Sequence, residues 1–361
     1  MSNSNSGKIR VAVIYGGRSS EHSVSCVSAG AIMAHLDPEK YEVIPVGITV
    51  DGAWVVGESN PQRLTLVDRT MPEVEHREEV RPSLDPAHRG EFHFSDGSLY
   101  ATADVIFPVL HGRFGEDGTI QGLFALSDIP VVGPGVLSSA AGMDKEFTKK
   151  LMAAEGLPIG KEVILRDRTE LTEAEKNLLG LPVFVKPARG GSSIGISRVK
   201  TWEEFPKAVE LARAHDEKVI VESEIVGSEV ECGVLQYPDG RIVASEPALL
   251  LGTEDGAGGF YDFDTKYLDN VVTAEIPASL DQKTTELIKS LAIESFQALS
   301  CEGLARVDFF VTANGPVLNE INTMPGFTPI SMYPQMFAAS GVGYEELLDV
   351  LIQQALHRSA Q

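Results

Sequence analysis

Near the end of the chain stand two carboxylates and an amide, Asp308, Glu320 and Asn322, with Arg306 two residues before the first. They lie on LARVDFFV and PVLNEIN, which flank Thr312, Ala313, Asn314 and Gly315; Asn-Gly between apolar runs is a strong hairpin signal. Side chains alternate along a strand, so Arg306 and Asp308 share a face, as do Glu320 and Asn322 on the return strand. If Asp308 pairs near Glu320, two carboxylates, an amide oxygen and a guanidinium converge. With no His or Cys beside them, such a set suits a hard ion, Mg²⁺ or Mn²⁺, that also takes phosphate oxygens. The same residues would serve equally as the solvated face of an edge hairpin, and a slip of one residue would scatter them.

Three further segments could carry chemistry. Lys186 opens KPARGGSSIG, a glycine- and serine-rich turn whose backbone N–H groups could wrap phosphate oxygens. It is not a Walker A loop, because G-x-x-x-x-G-K-[ST] is missing and a strand follows; a hairpin tip is the plainer reading of the glycines alone. Gly16, Gly17 and Glu21 sit where a strand gives way to a helix, a place suited to an anionic group, although Glu21 could simply favour the helix dipole. The G-x-G-x-x-G fingerprint of dinucleotide binding is absent. His111 begins HGRFGEDGT at the carboxyl end of another apolar run, where α/β sheets bind ligands, though a lone His there is often structural.

The elements that must position these groups follow from periodicity. Residues 9–15 (IRVAVIY) form a strand-length apolar run, and a helical pattern follows over about 25–36, the opening of a doubly wound α/β unit. Residues 41–50, 103–110 and 130–133 read as further strands. Residues 57–97, rich in Glu, Arg and Pro, read as a surface excursion. A helix is expected over 138–154, strands at 182–186, 194–199 and 218–222, and a helix at 202–215. Strands at 229–236 and 242–247, a glycine-bearing loop at 252–270, a helix at 281–299, the hairpin and a last helix from about 344 complete the pattern. The expected fold class is thus α/β and α+β, with units 1–133, 134–224 and 225–361.

The chain has 361 residues, 43% of them hydrophobic and 23% charged, and a formal net charge of −22. That charge argues against nucleic acid or an anionic membrane as partner, so an anionic ligand needs local cations such as Lys145, Lys186, Lys266 and Arg306. Cys26, Cys232 and Cys301 are too few and too far apart for a disulfide framework or zinc site. The polar start MSNSNSGK resembles no signal peptide and no run reaches the ~18 apolar residues a spanning helix needs; a soluble, cytoplasmic protein is expected.

Together and in this order, GGRSSEHSVS, HGRFGEDGTIQG, MDKEFTK, VKPARGGSSIGIS, YDFDTKY, ARVDFF and NEINTMPGFTP strongly resemble the D-alanine–D-alanine ligase family of the ATP-grasp superfamily, over nearly the whole chain. The resemblance implies a three-domain ATP-grasp architecture and ADP-forming ligation of two D-alanines through an acyl phosphate, for peptidoglycan precursors. It implies ATP as substrate, two Mg²⁺ or Mn²⁺ ions on Asp308, Glu320 and Asn322, a homodimer, and a possible monovalent cation. It places ATP on Lys145, Lys186, Ser192, Ser193, Glu222, Glu229, Phe260 and Lys266. It gives Glu21 the first D-alanine's ammonium, His111 a place near its carboxylate, Arg306 and the Gly326 backbone the oxyanion, and Ser331 and Met332 the second D-alanine. Tyr267, on a glycine-rich lid with Lys266, would close onto Ser192 and Glu21. Ser223 and His22 depart from residues found in some members. The rival readings are a D-lactate or D-serine ligase of resistance type, another ATP-grasp enzyme, and a nucleotide-binding relic; Tyr267 and the intact Arg306 and carboxylates favour the dipeptide ligase.

Overall fold

The first apolar run works because both faces of its strand are buried. In the computed structural model, which describes residues 7–252 and 273–359, Ile9–Gly16 is one of the two inner strands of a sheet ordered Trp54–Val56, Tyr41–Ile48, Ile9–Gly16, Val105–Val109. The last three are parallel, and Trp54–Val56 joins the edge antiparallel. Val11, Val13 and Tyr15 face one core with the helix His22–His35 and the C-terminal helices, while Ala12 and Ile14 face another with Ile120 and Phe124. Each such buried aliphatic side chain is worth about 1.5–3 kcal/mol, which is why the run does not alternate with polar residues. The 130–133 strand reduces to a single parallel bridge, Ile106 to Val131.

Residues 57–97 are more than a surface excursion. They carry a three-stranded antiparallel sheet, Val80–Pro82, Glu91–Phe94 and Leu99–Thr102, the last just beyond them. Val80 and Phe92 are fully buried in the core shared with Ala12 and Ile14. The apolar anchors, Leu64, Val80 and Phe92 among them, are scattered through a charged stretch, too sparse to register as periodicity.

A second, wholly antiparallel sheet runs Ser197–Val199, Val183–Pro187, Val219–Ser223, Glu162–Leu165. Its core draws only on residues 163 to 221. The helix expected over 138–154 is two, Val136–Met143 and Lys145–Ala154. Asp144 between them is extended and accepts from the Glu146 N–H as an N-cap, so the break sets Lys145 at the start of a helix.

The third sheet runs Thr273–Glu275, Ala248–Leu251, Ser228–Gln236, Leu304–Thr312, Gly315–Asn322, with Ile242–Ala244 beside Ser228–Gln236. Gln282–Ala298 packs on it, and Met332–Ala339 and Tyr344–Arg358 close the chain. Cys26, Cys232 and Cys301 are buried free thiols, and burial pushes each up to about 12. Among the described residues no helix is long and apolar enough to cross a membrane.

Candidate active site

The hairpin brings its polar residues together by an irregularity. From the turn inward, Thr312 pairs with Gly315 and Phe309 with Leu318; continued, that register would set Asp308 opposite Asn319. A bulge there sets Asp308 opposite Glu320 and Arg306 opposite Asn322. The extra residue lets Leu318 and Ile321, three apart, both enter the apolar core, while Glu320 and Asn322 turn to the polar face. Arg306 Nε donates to Asp308 Oδ1 at 2.7 Å and Nη2 to Oδ2 at 2.7 Å. Asn322 Nδ2 donates to Asp308 Oδ2 at 2.9 Å. Glu231, on the strand paired with Asp308, reaches Arg306 Nε at 3.2 Å. These carboxylates hold the buried guanidinium well above its ordinary pKa despite the cost of burial.

Beside this patch lies a group of lysines. Lys145 Nζ donates to the Gly190 carbonyl at 2.9 Å and stands 3.4 Å from Glu320 Oε2. Lys149 and Lys186 both pair with the Glu222 carboxylate, and Lys149 lies 3.5 Å from Glu162. Burial, followed by its lysine neighbours, pushes the Lys186 ammonium down to about 7. Burial likewise lowers Lys149 and raises Glu162. Above them, Ser192 and Ser193 have φ of 49° and 57°, left-handed backbone that costs a non-glycine residue on the order of 1–3 kcal/mol. That conformation carries Ser192 Oγ to Glu21 Oε1, where it donates at 2.5 Å. A Cβ on Gly191 would lie 2.9 Å from Glu21 Oε2, so the loop runs close against this carboxylate.

On the far side of Glu21, His111 is buried with both ring nitrogens engaged, Nδ1 with the Met324 carbonyl at 3.2 Å and Nε2 with Ser28 Oγ at 3.1 Å. A carbonyl can only accept, so Nδ1 carries the proton; burial lowers the imidazole's pKa and keeps it neutral. Glu116 takes the Gly112 N–H at 2.6 Å and the Met324 N–H at 3.2 Å. Burial and then Glu21 raise its carboxyl to about 8. Gly326 closes the wall, with Ser331 Oγ 2.7 Å from where its Cβ would be. Ser331 precedes the helix that Met332 begins, and its hydroxyl accepts from the Thr328 N–H at 3.0 Å.

Two cavities meet here. One of about 730 Å³ is lined by Lys186, Ser193, Glu222, Glu229, Asp308 and Glu320 among others. The other, about 170 Å³, is lined by Glu21, His111, Glu116, Lys145, Arg306 and Gly326 among others. Lys186, Ser193, Ile196, Asn319 and Glu320 belong to both. A large cavity with cations at its inner end thus opens onto a small one holding a carboxylate and a guanidinium, an arrangement that can bring a polyphosphate end-on to a small zwitterion.

Residues 10–134 match the family model for the D-ala D-ala ligase N-terminus and residues 151–353 that for the C-terminus. The chain is 92% identical to the D-alanine–D-alanine ligase of Corynebacterium glutamicum strain R, across 99% of both chains. It belongs to the D-alanine–D-alanine ligase family. Among solved members and neighbours, the ligase of Coxiella burnetii aligns with a TM-score of 0.83 at 34% identity, covering 98% of this chain and 95% of that one. The VanG D-Ala:D-Ser ligase of Enterococcus faecalis aligns at 0.81 and 36%, covering 96% and 99%. A Bacillus anthracis member complexed with ATP aligns at 0.72 and 28%, covering 98% and 99%. The fold class expected from the sequence, ATP-grasp with a doubly wound N-terminal sheet, therefore holds.

Of the expected residues, Phe260, Lys266 and Tyr267 lie outside the described ones. Ser331 and Met332 lie directly behind Gly326 and are not among the residues lining either cavity. The sequence reading missed Lys149, Glu116, Glu162 and Glu231. Lys149 follows Lys145 by one helical turn, and Glu231 follows Glu229 by the strand period, so their spacing carried the signal. Asp308, Glu320 and Asn322 offer oxygen donors alone, which fits a hard divalent ion. Among the described residues no three His, Cys, Asp or Glu side chains form a ready metal cage, so such an ion would lean on phosphate oxygens.

Proposed function

We propose that the chain is an ADP-forming, ATP-dependent ligase that joins two D-alanines into the dipeptide used in peptidoglycan precursors. The observation that carries this is the junction of the two cavities at Lys186 and Glu320, with Arg306 on the small-cavity side. High identity to corynebacterial D-alanine–D-alanine ligases over the full chain supports the substrate pair over D-lactate or D-serine.

In this reading ATP fills the large cavity, with adenine toward Glu222, ribose toward Glu229, and phosphates toward Lys145, Lys186 and the Ser192–Ser193 loop; Phe260 and Lys266 complete the contacts. Glu21 holds the first D-alanine's ammonium. The carboxylate oxygen of that D-alanine attacks the γ-phosphorus, forming the acyl phosphate as the bond to ADP breaks. The second D-alanine's amine, bound toward Ser331 and Met332, attacks the acyl carbon, and phosphate leaves. Arg306 and the Gly326 N–H face the oxygen on which negative charge grows, where fixed donors matter most. His111, with both nitrogens committed, fixes the Met324–Gly326 backbone. Asp308, Glu320 and Asn322 would hold Mg²⁺ or Mn²⁺, two per site, which when bound neutralises phosphate charge. The Ser192–Glu21 hydrogen bond closes one side against water, and Tyr267 is assigned the remaining closure. The units 1–133, 134–224 and 225–361 are supported by every sheet lying within one of them.

The decisive assay is phosphate release with D-alanine, with L-alanine, and with D-alanine plus D-lactate or D-serine. Turnover is expected with D-alanine alone, and its absence would sink the assignment. Light scattering tests the expected homodimer.

A further inference from the structure

We infer that Glu231 is a positioning residue that receives the Arg306 guanidinium when a divalent ion takes Asp308. The inference rests on the reading that Asp308 is a metal ligand. In the structure both Asp308 oxygens are already engaged. Oδ1 accepts from Arg306 Nε, and Oδ2 accepts from Arg306 Nη2 and Asn322 Nδ2. Three N–H donors take most of the roughly four acceptor sites of a carboxylate, so an ion arriving at Asp308 competes with the guanidinium for it. Displaced without a second anion, Arg306 would be a buried cation with no close counter-charge, which is costly.

Glu231 supplies that second anion. It stands opposite Asp308 across the paired strands, is 5% exposed, and its Oε2 lies 3.2 Å from Arg306 Nε. The Nε–H is therefore bracketed by two carboxylates, so a small side-chain rotation moves the guanidinium from one to the other without leaving it bare. The motion also frees Nη2 from Asp308, making that donor available to an oxyanion in the small cavity. Loading the metal and arming the arginine become one event. The neighbouring Glu229 makes the contrast: it shares the strand face with Glu231 but pairs with Phe310 rather than Asp308.

The test is Mn²⁺ binding in the presence of ADP, read by the electron paramagnetic resonance of free Mn²⁺, on full-length wild type, D308N, E231Q, R306M and E231Q/R306M. D308N should lose affinity; unchanged affinity would overturn the metal reading itself. E231Q should weaken Mn²⁺ by about ten- to a hundredfold, as loss of an outer partner does. In the R306M background the same E231Q change should do almost nothing, because no arginine is left to hand over. An equal loss in that background would show that Glu231 acts through its charge alone, and wild-type affinity in E231Q beside a weakened D308N would overturn the hand-over outright. Should E231Q not fold, Glu231→Asp, which keeps the charge and shortens the reach, must show the same dependence on Arg306.

Discussion

Two groups of cations share the site, and their charges are maintained in opposite ways. Lys186 and Lys149 are starved of solvent, and burial outweighs the carboxylates around them, so both ammonium groups are easier to deprotonate than usual. Arg306 is equally buried, yet Asp308 and Glu231 more than offset that cost. The lysines are thus incomplete without an incoming anion, whereas the arginine is complete and has only to be redirected. Polyphosphate, arriving with its own negative charge, suits the first group; an oxygen that becomes anionic only during reaction suits the second.

The strongest way to break this comparison is to neutralise the carboxylate that lies between the two groups, 3.4 Å from Lys145 and opposite Asp308. Glu320→Gln should abolish turnover and Mn²⁺ binding together while leaving the fold intact. Wild-type-like activity in that variant would show that Glu320 holds no metal.

Next in size is Arg306→Met. It leaves Asp308 and Glu231 facing each other without a cation and should cost about 3–5 kcal/mol of stability in urea unfolding. The kcat should also fall by about 10²–10³-fold, as for loss of one oxyanion donor. Lys186→Met should behave differently, with a much smaller stability loss but markedly weaker ATP binding in calorimetry. If Lys186→Met destabilises as much as Arg306→Met, the two groups are not distinct.

The pH dependence sharpens the same point. Lys186 has a folded value near 7 against an ordinary 10.5, so between those values the unfolded chain holds more protons. Its share of stability therefore rises with pH across that window, and Lys186→Met should flatten the slope of melting temperature from pH 7 to 10. Glu116 works in the reverse sense. Its carboxyl is raised from 4.5 to about 8, so the folded chain holds the extra proton and stability falls as pH rises from 4.5 to 8. Glu116→Gln should consequently gain about 1–3 kcal/mol on the parent between pH 5 and pH 8, at roughly 1.4 kcal/mol per pH unit of full effect. No pH-dependent difference would mean that Glu116 is ionised in the folded protein.

What could be read from residues alone divides along the same physical line. Continuous apolar runs marked the parallel strands because both faces are covered, and Arg306 with Asp308 followed from alternation. The pairing of Asp308 with Glu320 depends on one inserted residue, and nothing in the letters LNEIN distinguishes a bulge from a regular strand. The break at Asp144 was equally hidden, since Met143 and Lys145 both favour helix and the cap depends on extended backbone at one residue. Glu116 was visible as a letter in HGRFGEDGT, but its raised pKa comes from burial and then from Glu21, which is distant in sequence. Local pattern shows which residues can act; their ionisation and register are set by packing.

One wall of the core around Val11, Val13 and Tyr15 is built from Leu347, Leu351 and Ile352, and the same ends are tied by Tyr41 and Lys40 to Asp349 and by Arg358 to the carbonyls of Val131 and Gly133. During synthesis, the strand Ile9–Gly16 therefore waits for part of its cover until Tyr344–Arg358 has been made. Glu21 and Gly326, both on the wall of the small cavity, therefore rest on packing between segments more than three hundred residues apart.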